Sequence, residues 1–139
     1  MQDVETGLFT VGVFQDVNWA TRGVEGLKTA GFPVESITIL GKDSHDLAAL
    51  MASQLGASGD RMEVPGLGAV LVRGPLLEAL DGAELKTAGL GATMWRAGFQ
   101  QHDGRIYEAL TARGGILVAV RSEPAAAAAL ALLLTPRTA

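Results

Sequence analysis

His102-Asp103-Gly104-Arg105-Ile106-Tyr107 holds an imidazole, a carboxylate, a guanidinium and a phenol within six residues. Such groups do general acid–base chemistry when they converge on one pocket. Helical spacing works against that convergence. Asp103 and Tyr107 share a face at i, i+4, while His102 and Arg105 share another at i, i+3. Asp103 therefore reads as a helix N-cap, with Ile106, Tyr107 and Leu110 as the apolar face behind it and Arg105 in solvent. Trp95-Arg96-Ala97-Gly98-Phe99 could offer an aromatic stacking surface, but a Trp/Phe pair among apolar residues is more often core or subunit interface.

Phosphate chemistry is the next class to test, because glycine supplies 18 of 139 residues, close to twice its usual share of about 7%. Gly66-Leu67-Gly68-Ala69-Val70-Leu71 and Gly89-Leu90-Gly91-Ala92-Thr93-Met94 both lack the third glycine of a dinucleotide fingerprint. That glycine lets helix and strand approach under a pyrophosphate, so its absence counts against both stretches. No Gly-Lys-Ser/Thr occurs. Asp43-Ser44-His45-Asp46 gathers potential ligands at spacings that rarely converge on a metal, and reads as a solvated helix start. Ser58 lacks the glycine two residues on that a nucleophile elbow needs. There is no cysteine. No cofactor and no metal are expected.

Eleven basic and fifteen acidic residues give a formal charge of −4, split as −5 over residues 1–70 and +1 over residues 71–139. Lys and Arg are scattered singly, so no nucleic-acid stripe is expected. The acidic N-terminus resembles no leader. The longest apolar run, Ala125 to Leu134, is ten residues, about half a bilayer span. It reads as a buried C-terminal helix capped by Ser122, and the chain is expected to be cytoplasmic without a membrane span.

The elements that must position these residues follow from periodicity. Residues 7–14 read as a strand. Asp16 caps a helix with Ala20, Val24, Leu27 and Ala30 on one stripe, ended by Gly31-Phe32-Pro33. Gly23 and Gly26 inside that helix predict close packing. Residues 36–40 form a second strand. Leu47, Leu50, Met51 and Leu55 mark a helix that Gly56 closes, and Gly56 to Asp60 reads as a surface turn. Residues 67–73 form a third strand, Gly74-Pro75 ends it, and Leu76 to Leu80 starts a short helix. Residues 82–101 are ambiguous, with Gly82, Gly89, Gly91 and Gly98 interrupting an apolar pattern. Gly114-Gly115 stops the helix begun at Asp103, and residues 116–120 form a fourth strand.

Val11-Gly12-Val13-Phe14-Gln15-Asp16, running through Gly31-Phe32-Pro33 to Ile37-Thr38-Ile39-Leu40, resembles the opening unit of the heat-induced general stress protein (YflT-like) family. Tyr107 to Val120 resembles that family's closing helix, double-glycine turn and strand, and residues 64–71 with Gly74-Pro75-Leu76 resemble its glycine-rich middle. The resemblance covers about half the chain. It implies a bacterial stress-associated protein without a defined activity, and it carries no catalytic residues over. Arg73, Glu78, Asp81, Glu84, Lys86 and Arg96 interrupt a middle that is nearly uncharged in many relatives, which argues against a membrane role.

The expected architecture is α+β: a ferredoxin-like split βαβ fold, with a four-stranded antiparallel sheet and helices on one face. A small flavodoxin-like sheet is the alternative. The chain reads as one domain over residues 1–139, with a variable insertion at about 42–66 and a Gly-rich helical segment at about 74–101. The expected function is non-catalytic, through self-association as a homodimer or through a protein partner, with the uncovered sheet face as the surface to bury. The alternative is a small-ligand sensor built where residues 64–76 meet residues 98–107. Gly66, Gly68, Trp95, His102, Arg105 and Tyr107 are the candidate ligand or partner surface.

Overall fold

Asp16 turns the first strand into the first helix. Its carboxylate accepts from the Trp19 amide at 2.9 Å, and β1 (Phe9–Phe14) gives way to α1 (Val17–Thr29). The computed structural model describes residues 9–121. After a short 3-10 turn come β2 (Ile37–Lys42), α2 (His45–Leu55), β3 (Asp60–Val64) and β4 (Gly68–Arg73). Four helices follow, α3 (Leu76–Ala79), α4 (Gly82–Ala88), α5 (Leu90–Arg96) and α6 (Gln101–Ala112), before β5 (Ile116–Arg121). No helix among the described residues is long and apolar enough to cross a membrane. The helix expected after Ser122 and the first two residues of the 7–14 strand lie outside the described residues.

Three helices end on the same device. At α1, α5 and α6 the glycines Gly31, Gly98 and Gly114 take φ of 101°, 113° and 102°. In each, two amides fold back onto the last turn, as in Phe99 N–H to the Met94 carbonyl and Gly98 N–H to the Trp95 carbonyl, both at 3.0 Å. This is the Schellman closure, which satisfies carbonyls that the helix itself leaves unpaired. The ambiguous 82–101 stretch thus resolves into two helices hinged at Gly89 and a closing loop.

The strands form one antiparallel sheet in the order β1-β5-β2-β4-β3. The β1–β2, β2–β3 and β4–β5 connections each skip one strand, so split crossovers, as expected, organise the sheet. Among the described residues the strands number five, not four. The one overlooked is β3, inside the stretch read as turn and insertion. It is an edge strand whose Asp60, Arg61 and Glu63 are exposed, with only the half-buried Met62 and the buried Val64 alternating between them, too short an apolar pattern to stand out from a loop. Its hairpin to β4 turns on Pro65-Gly66, with Gly66 at φ 84° and the Leu67 amide bonded to the Val64 carbonyl at 2.9 Å. Proline then positive-φ glycine is the type II pattern. A sheet antiparallel throughout also removes the flavodoxin-like alternative, which needs parallel strands.

Helices cover both faces of the sheet, which corrects the expectation of one. Residues of β5 alternate between two cores. Ile116, Val118 and Val120 join α1 and α2 on one face, whereas Leu117 and Ala119 join α3, α4 and α5 on the other. The β4–β5 connection steps back along the sheet on strands pointing the other way, yet on the second face. Its hand is therefore opposite to that of the first two crossovers. A chain of four short helices can take that course where one stiff helix would resist it.

Close backbone approach fixes the elements where the faces meet. Phe14 lies so near Gly23 that a Cβ there would enter its ring, which accounts for a glycine inside α1. Gly74, at φ 133°, lies against the Thr38 backbone. One step on, the fully buried Thr38 hydroxyl accepts from the Leu76 amide at 2.9 Å and starts α3. Thr38→Val keeps the shape but strands that amide. The expected cost is about 1–3 kcal/mol, the desolvation of one unpaired buried group, read as a lower urea midpoint at unchanged m-value.

Candidate functional site

The α5–α6 pair carries most of the residues singled out above, and glycine brings its two helices together. A Cβ on Gly104 would lie 2.9 Å from the Gly91 carbonyl oxygen, and one on Gly91 would lie 3.2 Å from the Gly104 carbonyl oxygen. The two backbones therefore touch with no side chain between them. Helix α6 begins at Gln101, with Gln100 at the cap position. Asp103 sits in the first turn, so the expected N-cap at Asp103 is corrected.

Glu108 is the side chain around which separate segments converge. A Cβ on Gly89 would stand 2.9 Å from its carboxylate, one on Gly91 3.0 Å, and one on Gly66 3.6 Å. Helix α5 starts at Gly89 without a side-chain cap. The Glu108 carboxylate lies over that start, where unpaired amides and the helix dipole favour negative charge. The turn at 64–68 does meet α6, and the group that faces its Gly66, at ordinary contact distance, is the protein's own carboxylate.

The six sequence candidates therefore separate. Gly66 faces Glu108, while Gly68 stands at the start of β4 at φ 82° beside open space. Trp95 is 51% exposed on α5. His102 and Arg105 point outward from α6, and Tyr107 is half-buried against the second core. Acid–base groups are not brought together. Burial raises the Tyr107 phenol above its ordinary value, and the nearby Asp103 carboxylate adds to the shift.

Ile106 and Leu110, expected on the buried stripe, are exposed at 41% and 38%. The inward side of α6 is instead Gly104 and Thr111, which are buried, with Tyr107 and Glu108 half-buried beside them. Apolar periodicity picks the wrong face because this helix packs through its small residues. The available signal was Gly104 and Thr111 at i, i+7. At the other cluster, Ser44 caps α2 by accepting from the Leu47 amide at 3.0 Å, and Asp43 pairs with Arg61 at 2.8 Å. Among the described residues no three His, Asp or Glu side chains gather as a metal site. A groove of about 790 Å³ lies at the starts of α1 and α2, between Asp16, Lys42, Ser44 and Asp46.

Two glycine substitutions should have opposite signs. Gly82→Ala, in open space, should stabilise by about 0.5 kcal/mol through helix propensity and a stiffer unfolded chain. Gly104→Ala gains the same propensity but forces α5 and α6 apart, for a net loss on the order of 1–2 kcal/mol. Thermal unfolding of both variants checks the pair. The raised phenol of Tyr107 makes a second expectation. Its neutral form is favoured in the fold, so stability is unaffected below the ordinary value of 10.0 and falls as pH rises through the higher folded value. Tyr107→Phe should remove that part of the alkaline loss, and Asp103→Asn only a minor share, in denaturation curves across alkaline pH. Comparison with known protein families, with curated proteins and with solved structures finds no match for this chain.

Proposed function

We propose that the protein is a non-catalytic, stress-associated module that docks a protein partner on the outer face of α6. One observation carries this reading. The exposed large apolar side chains among the described residues, Trp95, Ile106 and Leu110, all lie on α5 and α6. With both sheet faces covered, the uncovered face that would have driven a dimer does not exist among these residues. An association surface has to be sought on a helix. Exposed apolar side chains grouped on adjoining helices are the usual mark of such a surface. A catalytic reading finds less support, since His102 and Arg105 lie outside while Tyr107 turns inward. The ligand reading also weakens, because where the two segments meet at Gly66 the facing group is the protein's own Glu108 carboxylate. The stress association rests on the family resemblance alone. We further read β2, α2, β3, β4 and β5 as a ferredoxin-like strand order, β5-β2-β4-β3, extended at one edge by β1.

The test is a paired substitution, Ile106→Glu with Leu110→Glu. Both positions are exposed, so the variant should fold with a melting temperature close to that of the parent. Affinity co-purification from the host and light scattering of the purified chain should show the parent in a complex and the variant free. An association that survives the double substitution overturns the reading.

A further inference from the structure

Resting on α6 as the docking face, we infer that its partner is an acidic amphipathic helix of another protein. His102, Arg105, Ile106, Ala109, Leu110 and Arg113 are all exposed. Their spacings of three, one, three, one and three place them in a single stripe along the helix. Ile106 and Leu110 form an i, i+4 ridge, and Ala109 beside them lets a second helix come close. Basic side chains flank this apolar centre toward both ends.

Of the two carboxylates of α6, Glu108 is half-buried on the opposite side against Gly89 and Gly91, while Asp103, half-buried beside Tyr107, stands at the edge of the stripe on the Leu110 side. Arg105 and Arg113 outnumber it there. The ion pairs among the described residues are Arg61–Asp43 and Arg96–Glu84. Arg105 and Arg113 take part in neither. A protein of formal charge −4 thus presents a locally positive apolar ridge, and guanidinium groups bind carboxylates in paired, directional hydrogen bonds.

Charge then chooses among occupants. A second copy laid on the same stripe would bring four arginines together against two Asp103 carboxylates, a net positive seam that costs specificity and affinity. A lipid surface needs apolar side chains that enter it by about 5–10 Å, whereas Ile106 and Leu110 are each more than half covered by their own fold. A helix with leucines at three- and four-residue spacing, flanked by glutamates, satisfies both the ridge and the arginines.

Two synthetic helical peptides test this, one with glutamates flanking its leucines and one with lysines at the same places. In fluorescence anisotropy the parent protein should bind the glutamate peptide at least tenfold more tightly, with affinity falling as salt rises. Arg105→Glu with Arg113→Glu should invert the preference. Equal binding of the two peptides, or binding of neither, overturns the acidic-partner inference. If Ile106→Glu with Leu110→Glu still abolishes that equal binding, the docking face stands and only the charge argument falls. Peptide binding unchanged by the Ile106/Leu110 substitution removes the docking face itself. A cross-linker placed at Ala109 that captures α6 of a second copy, or phosphatidylserine vesicles that bind the parent but not the arginine variant, would also overturn the inference.

Discussion

The contact between Gly91 and Gly104 is the constraint from which the arrangement of the second face follows. Two helix backbones approach until a single added carbon would lie 2.9 Å from a carbonyl oxygen. At that distance α6 has little freedom to roll on α5, because rolling would drive a side chain into the gap. The roll angle decides everything else about α6. It aims Glu108 at the uncapped start of α5, sends Tyr107 into the core beneath, and leaves Arg105, Ile106, Leu110 and Arg113 outside. Helix packing through small residues usually serves closeness alone. Here it also sorts charge, with Glu108 turned in and Arg105 and Arg113 turned out.

A sheet with both faces covered makes that sorting possible. Had the helices shared one face, the other would have been the dominant apolar surface and the natural site of association. Instead the strands β2 and β5 are buried on both sides, and their near-continuous apolar sequences reflect it. The price is tight passage where the chain changes face. Gly74 and Thr38 mark it: the glycine admits the backbone of β2, and the buried hydroxyl holds the first amide of the returning helices.

Where burial is one-sided and local, the sequence was legible. Ala20, Val24 and Leu27 lie buried along α1, and Leu47, Leu50, Met51 and Leu55 along α2, as their spacing says. The cap at Asp16 and the stops at Gly31, Gly56 and Gly114 were readable for the same reason, since each depends on neighbours within a turn. The edge strand β3 was hidden because Asp60, Arg61 and Glu63 protect it with charge, a common guard for an unpaired edge. The glycine surplus between residues 64 and 100 was opaque for another reason. Gly91 is needed because of residue 104, and Gly89 because of residue 108, so no local pattern contains the cause. Pro65-Gly66, as a turn, and Gly98, as a helix stop, carried their own explanations.

The site followed the same division. Six consecutive residues, 102–107, suggested chemistry because they were adjacent in sequence, yet a helix separates what adjacency joins. Each residue turns the chain by about 100°, so His102 and Tyr107 diverge by about 140° around the axis. Once Gly104 is pinned against α5, one of the two must face solvent and the other the core. A catalytic pair needs both in one water-poor pocket. A docking face needs the opposite, a row of outward side chains at three- and four-residue steps. The same rotation that takes the acid–base cluster apart therefore assembles Arg105, Ile106, Ala109, Leu110 and Arg113 into the exposed ridge on which the proposed docking rests.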